Sequence, residues 1–591
     1  MPAAILQWAE KEAVQPERLK ESEQKIAEEL AECPGIEKRW MKKLAKFLVQ
    51  SGIRHISEMD YTLRAEYEIY LGATPQWKKN CLKTFDKVVK YEIQKQMQTL
   101  SGRQKNQWKY RNRILFLPYH PDQGIASEFE ASRKSDILIW DFHKDCAEKL
   151  KRQIFGGLDH ILKNCKNPRV KRKKLLTLQY FYTFCVENHI EDVELLEECD
   201  LEKYRIYVEK SRKEADLEQS PMAVVTLCRK ESFVKAQDIH WHAGVWYLDR
   251  FHLPKDRVNP SASKEGISFL EIHDVSDRKC AQEYMKYELG ISGQAVSTIM
   301  KRYRSIREFI VFLKRKGIKV CECGRAHVDA YFRKLQERNL EAKGFNERIY
   351  GITHFYKFLE VRQYIGRVPF RPEYYAQKVV PVHHDRSVET EVYIGIMRNL
   401  KFFPEHLRCM FLHLWCLGLR ASEVCTLMGN AYYRQGKDPW IQIYQIKTKG
   451  YKRIPIPEGL YEVMQVYIGK YQIGPEEYIF KNTKGGAFLY QTFRVQMLKY
   501  CEEYKISGGE YLFKSHDYRH TVATIFYDNE VSLQSIRDYL GHMYDEMTQQ
   551  YVDYMPQKIE KANEEYFDDP DNDLAVGLKK GSTYGRKKNL L

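Results

Sequence analysis

The chain has 591 residues, with 96 Lys+Arg against 80 Asp+Glu and a formal charge of +16 at pH 7. That length exceeds a single hydrophobic core and implies several domains, and the positive balance favours a polyanionic partner over an acidic small molecule. The start "MPAAILQWAEKEAVQ" lacks a basic-then-apolar leader, no long apolar run is present, and the 14 cysteines lack framework spacing, so the expectation is a reduced, cytoplasmic chain without membrane segments.

In chain order, the first half reads as helical and repetitive. "LAKFLVQSGIRHISEMD" (from Leu44) has counterparts in "LQYFYTFCVENHIEDVELLEECDLEKYRIYV" (from Leu178) and "IREFIVFLKRKGIKVCECGRAHVDAYFRKL" (from Ile306). In each, Phe47, Phe184 or Phe312 closes an amphipathic helix just before a Gly-Ile or His-Ile turn, and a second helix follows. The spacing predicts helical modules over residues 1–117, 118–255 and 264–380. Pro, Gly and Ser cluster at Pro118–Gly124, Leu253–Gly266 and Pro381–Ser387, which read as linkers.

Runs mixing basic and aromatic residues occur at Arg103–Arg113, Asn167–Lys174 and Lys301–Phe309. Such runs are ordinarily solvated helix faces. Beside the net charge they become candidate phosphate contacts, with Lys301, Arg302, Arg304 and Arg307 the residues selected. Cys321 and Cys323 with His327, and His240, His242 and His252, lack the spacing of a zinc site, so no metal is expected.

Residues 385–566 carry the chemistry. "LHLWCLGLRASEV" is an apolar helix ending at Gly418, with Arg420 and Glu423 one turn apart, a pair able to hold a phosphate clamp rigid or simply a structural ion pair. "WIQIYQIK" and "KRIPIP" alternate on either side of a Lys-Gly bend and predict a β-hairpin bearing Lys447, Lys449, Lys452 and Arg453. "SHDYRH" puts His516 and Arg519 on one face of a helix start with Ser515 as cap. "LGH" ends in His542, and Tyr551 follows nine residues later. From residue 567 apolar periodicity is lost, as in a disordered tail. The fold class expected is mainly α, multi-domain, with a small β-hairpin or sheet in the last domain.

These five spaced elements, in order, resemble the catalytic domain of the tyrosine recombinase or phage-type integrase family. Residues 266–375 are more loosely similar to that family's helical core-binding domain. The resemblance implies a site-specific recombinase that cleaves and rejoins double-stranded DNA through a 3′-phosphotyrosine, for integration, excision or transposition of a mobile element. It implies Arg420 and Arg519 on the non-bridging oxygens, His516 as proton acceptor, Lys449 as acid, His542 on the phosphate and Tyr551 as nucleophile, with Glu423 in support and Lys452 and Arg453 among DNA contacts.

Register against the family pattern selects Lys449, although "KTKG" leaves Lys447 open. Tyr554, one turn beyond Tyr551, is the competing nucleophile; Tyr539 and Tyr544 read as packing and as too close to His542. Transesterification conserves bond energy, so neither ATP nor metal is implied. The implied partners are DNA, further copies of the chain in a tetrameric synapse on the nucleoid, and accessory bending or directionality factors. The rival readings are a type IB topoisomerase, which reseals the same strand, and a catalytically silent DNA-binding accessory protein.

Overall fold

The structure is a computed structural model that describes residues 16–72, 75–111, 113–130, 135–211, 220–262, 266–380 and 386–541. The fold is mainly α with small antiparallel sheets, and it divides into two compact units. The first holds the residues up to Arg250 together with Ser268–Glu271; the second holds Phe251–Ile267 and the residues from Ile272 on.

The same helical design occurs three times. Module A consists of α1 (Pro16–Ala31), α2 (Lys38–Gln50), α3 (Tyr61–Tyr70) and α4 (Pro75–Met97). The short strands β1 (Ile114–Phe116) and β2 (Ile139–Asp141) pair antiparallel before module B. Module B has α5 (Glu148–Asn164), α6 (Pro168–Glu187), α7 (Glu198–Ser211) and α8 (Met222–Lys235). Module C, in the second unit, has α9 (Val275–Gly290), α10 (Val296–Arg315), α11 (Arg325–Gln336) and α12 (Ala342–Val361).

In each module the second helix ends with a left-handed residue, Gly52, His189 or Gly317. The next N–H reaches back to a helix carbonyl, from Ile53 to Leu48, Ile190 to Cys185 and Ile318 to Leu313, which is the Schellman closure that satisfies orphan carbonyls. A 3₁₀ turn follows in each, and its first N–H donates to a side chain of the module's first helix. The pairs are Ile56 to Glu29, Val193 to Gln153 and Val320 to Asp277, at 2.9, 2.8 and 2.9 Å. Phe47, Phe184 and Phe312 all face inward. The periodicity read from the sequence thus corresponds to one backbone plan, repeated down to its buried polar contacts.

Two stretches rich in turn-forming residues are anchored rather than loose. At Pro118–Gly124, Leu117 and Pro118 are buried and the Tyr119 hydroxyl donates to Asp86 at 2.5 Å. In the stretch from Leu253, Arg257 is buried and donates to the carbonyls of Glu288, Leu289 and Gln294. A guanidinium there satisfies carbonyls that the end of α9 leaves open and complements its dipole. Composition reports turn propensity but not these long-range partners.

The final domain is built from α13 (Thr390–Asn399), α14 (Glu405–Leu417) and α15 (Ala421–Cys425), then β3 (Tyr432–Gln435), β4 (Asp438–Gln445) and β5 (Gly450–Pro455). The helices α16 (Glu458–Lys470), α17 (Tyr490–Glu503), α18 (Ser515–Asp528) and α19 (Leu533–Leu540) follow among the described residues. The predicted hairpin is present as β4–β5, and β3 adds a third antiparallel strand to β4. That strand is short, but its turn, Gly436-Lys437 between Gln435 and Asp438, was a readable hairpin signal. Leu407, Phe411, Leu414 and Leu417 on α14 pack with Ile441, Ile443 and Ile454 of the sheet and with Phe493 and Tyr518 in one core.

Candidate active site

The site forms where the end of α14, the sheet and the starts of α15 and α18 meet. Gly418 closes α14 with φ of 60°. A Cβ there would lie 3.2 Å from Val522 and 3.5 Å from the Arg519 backbone, so glycine suits both the left-handed turn and the close approach of α18. The Gly418 carbonyl accepts Arg519 Nη1 at 3.0 Å, and Arg519 Nη2 donates to the carbonyl of Leu540. Fully buried, this guanidinium ties together the ends of α14 and α19 and the start of α18.

Arg420 is the cap residue of α15. Glu423, 3% exposed, accepts its backbone N–H at 3.0 Å and its guanidinium at 2.7 Å, and also accepts Gln445 Nε2 at 2.9 Å. Burial alone would raise the Glu423 pKa, but Lys452, Arg420 and Arg519 together hold it below the usual carboxylate range.

Strand alternation sets the floor of this cluster. On β4, Ile441, Ile443 and Gln445 face inward, and on β5 so do Lys452 and Ile454. Lys452, expected among surface DNA contacts, is therefore buried, opposite Ile443. Its Nζ makes no hydrogen bond among the described residues. Burial lowers its pKa to about 8; Glu423 opposes the fall, and Arg519 and Arg420 add to it. Its neighbour Arg453 points outward and binds Gln442 at 2.8 Å. Gln445 was missed in the sequence, although a polar residue at an inward strand position was the available signal. It also backs Gly541, where a Cβ would fall 2.4 Å from Gln445 Oε1.

Of the two turn lysines, Lys449 is left-handed and its Nζ lies 3.1 Å from Asp256. The Lys447 pKa is lowered, first by loss of hydration and then by the charges of Arg420, Lys343 and Arg519. Lys447 thus lies in the field of the arginine pair, while Lys449 is engaged by Asp256.

His516 lies in the first turn of α18. That helix begins at Ser515, which is buried, so Lys514 rather than Ser515 holds the cap position and makes no side-chain cap bond. The imidazole pKa is depressed to about 4, by desolvation and then by Arg519, Arg420, Arg386 and Lys447. At neutral pH it is uncharged and able to accept a proton. Arg386 is a second neighbour the sequence did not single out.

Tyr539 packs edge-on against Phe526. The remaining residues of the expected constellation, His542 and Tyr551, and the rival tyrosines Tyr544 and Tyr554, lie outside the described residues.

In module C, Lys301, Arg302 and Arg304 on α10 and Lys343, Arg348 and Lys357 on α12 line one groove. Lys301 and Arg302 there meet Glu347 at 3.7 Å and Glu288 at 3.4 Å, and Arg307 on α10 is half-buried. Elsewhere Cys321 sits 3.9 Å from Cys280, His327 Nδ1 accepts the Gly324 N–H, and His240 pairs with Glu194 at 2.7 Å. Among the described residues no group of three or more His, Cys, Asp or Glu is placed to hold a metal ion, and no helix is long and apolar enough to cross a membrane.

Residues 387–558 match the model of the phage integrase family. The chain is 26% identical over 321 residues to transposase B from transposon Tn554 of Staphylococcus aureus, covering 53% of this chain and 51% of that one. It therefore spans about half the length of this curated relative. It is also 24% identical over 281 residues to tyrosine recombinase XerC of Anoxybacillus flavithermus, covering 46% of this chain and 90% of that one. Among solved structures, a post-cleavage complex of the XerH site-specific recombinase with its difH substrate aligns with a TM-score of 0.39 at 12% identity, over 50% of this chain and 90% of that one.

Glu423→Ala is expected to destabilise the last domain by about 3–5 kcal/mol, because it leaves buried cations without their counter-charge. Adding Lys452→Met should recover part of that loss. Since the folded-state pKa of Glu423 is depressed, its contribution is fully present above the unfolded-state pKa and is lost as pH falls through the folded value. Chemical denaturation across acid pH should therefore show a limb in the parent that Glu423→Gln lacks; identical pH profiles would contradict the assignment.

Proposed function

Taking residues 387–558 as a domain of the phage integrase family, we propose that the protein is a site-specific DNA recombinase of a mobile element, which cleaves and rejoins strands through a covalent phosphotyrosine. The observation that carries this reading is the convergence of Arg420, Arg519 and Lys452 around the buried carboxylate of Glu423, with the neutral His516 imidazole in the field of the same two arginines. Similarity to a staphylococcal transposase supports the mobile-element part. On this reading residues 264–380 are the core-binding domain, residues 385–566 the catalytic domain, and residues 1–117 and 118–255 additional helical domains.

The scissile phosphate of duplex DNA enters with its non-bridging oxygens toward Arg420 and Arg519, and its negative charge offsets the mutual repulsion of the cations. That same charge raises the basicity of His516, which lies in their field. Tyr551 attacks phosphorus as its phenolic proton passes to His516. A P–O bond to tyrosine forms, and the bond to the 5′-oxygen breaks. The leaving oxygen takes a proton from a hairpin lysine, and His542 hydrogen-bonds the phosphate.

A phosphodiester has replaced a phosphodiester, so no ATP enters the balance. The 5′-hydroxyl of another strand then attacks the phosphotyrosine and releases Tyr551. Exchange between duplexes requires several copies of the chain on DNA, four in a two-duplex synapse, and leaves room for accessory bending factors. A type IB topoisomerase would run the same two steps on one strand, whereas the similarity to a transposase favours exchange between duplexes.

Incubation with a nicked duplex carrying the element's own site should give a DNA adduct that survives denaturation, forms in EDTA without ATP and maps to Tyr551. Mapping to Tyr554, or an absolute need for Mg²⁺, would contradict the assignment.

The acid is decided separately. Register selects Lys449, while electrostatics favour Lys447, because Lys449 is engaged by Asp256. Each Lys→Ala variant is to be compared on normal DNA and on DNA whose leaving 5′-oxygen is sulfur, which departs without a proton. The true acid is the lysine whose loss slows normal cleavage by orders of magnitude and is rescued by sulfur; a defect of equal size on both substrates excludes that lysine.

A further inference from the structure

Module B carries a basic surface that the cleavage chemistry does not use. Its relation to module C is fixed residue by residue, because Cys185 and Leu313 occupy the same helix-closing position. Counting back equally from these two carbonyls pairs Lys173 with Lys301 and Lys174 with Arg302. The pairing holds in the contacts. Thr177 Oγ1 donates to the Lys173 carbonyl at 2.9 Å, and Ser305 Oγ donates to the Lys301 carbonyl at 3.2 Å. Phe181 matches Phe309 and Phe184 matches Phe312, all four buried. In module A the same count from Leu48 reaches Ile36 and Glu37, so the basic pair belongs to modules B and C alone.

The surrounding stretch, "KNCKNPRVKRKK" from Lys163 to Lys174, contains no acidic residue. Lys163 pairs with Asp159 and the buried Lys171 with Glu128, but Arg169, Arg172 and Lys174 meet no carboxylate among the described residues. These cations sit in the first turns of α6, whose cap is Asn167. Arg169, in the first turn, faces the positive end of the helix dipole, where a cation costs stability. Arg172 and Lys174 lie a turn further on without a carboxylate among the described residues, and a polyanion lying along α6 would supply that counter-charge.

We propose that module B is a second duplex-DNA-binding module, in which Arg172, Lys173 and Lys174 on α6 contact the phosphate backbone as Lys301 and Arg302 do on α10. The equivalence rests on the reading of module C as the DNA-clasping domain. The consequence is a longer footprint: DNA beyond the cleaved core lies on α6, and the counterions released there steepen the salt dependence of binding.

The test uses the full chain and mixed-sequence duplexes of about two and about six helical turns. Arg172→Ala/Lys173→Ala/Lys174→Ala should bind the longer duplex more weakly, with the slope of log affinity against log salt shallower by about 2–3. Binding to the shorter duplex should be nearly unchanged. The charge-conserving Arg172→Lys/Lys173→Arg/Lys174→Arg should restore the parent slope. Affinity and slope equal to the parent on both duplexes would overturn the proposal.

Lys301→Ala/Arg302→Ala serves as the parallel control. If only the α10 variant loses affinity, module B does not touch DNA. If the α6 variant loses affinity and the α10 variant does not, the α6 surface stands and the reading of α10 fails. Binding is measured on uncleaved duplex, so absence of a tyrosine adduct would count against strand cleavage alone.

Discussion

Taking a carboxylate out of water is costly unless cations and donors replace the lost hydration, and Glu423, 3% exposed, is where the last domain meets that condition. It receives the Arg420 backbone and guanidinium and the Gln445 amide, with Lys452 and Arg519 contributing charge. Through these partners it fixes the start of α15 against the inner face of the sheet. Arg519 extends the arrangement to the ends of α14 and α19, the latter running into "LGH". The cations are held in place before any phosphate arrives, so little reorganisation remains to be done in a transition state. On the proposed reading, their excess over the single carboxylate is what an incoming phosphate would offset.

Two glycines of the motifs pack beside the same cluster. Gly418 and Gly541 each end a helix in a left-handed turn, and each abuts a member of the cluster, Arg519 in one case and Gln445 in the other. A side chain at Gly541 would push aside the Gln445 amide, and one at Gly418 would crowd Val522 on α18.

Much of this was legible in the sequence because it rests on short-range rules. The hairpin was readable from strict alternation, the helical modules from the recurrence of Phe47, Phe184 and Phe312, and the arginines from their spacing to Glu423 and His516. What was not legible depends on partners distant in sequence. Lys452 looks like a solvated hairpin lysine until the register with Ile443 turns it inward. Arg257 sits in a stretch whose Pro and Ser content reads as linker, and only the end of α9 gives it a role. Lys447 and Lys449 differ by two residues in a turn, where neither period nor propensity decides which points at the arginines.

In the proposed mechanism Arg420 and Arg519 neutralise charge on the non-bridging oxygens of the scissile phosphate. This role is tested most directly by single-turnover cleavage of a duplex in which one of those oxygens is replaced by methyl, which removes the negative charge the arginines are held to bind. Arg420→Ala should be inactive on the natural phosphate and recover adduct formation on the methylphosphonate. If Arg420→Ala is as inactive on the neutral substrate as on the charged one, Arg420 serves the architecture of the domain and not the charge of the reacting phosphate.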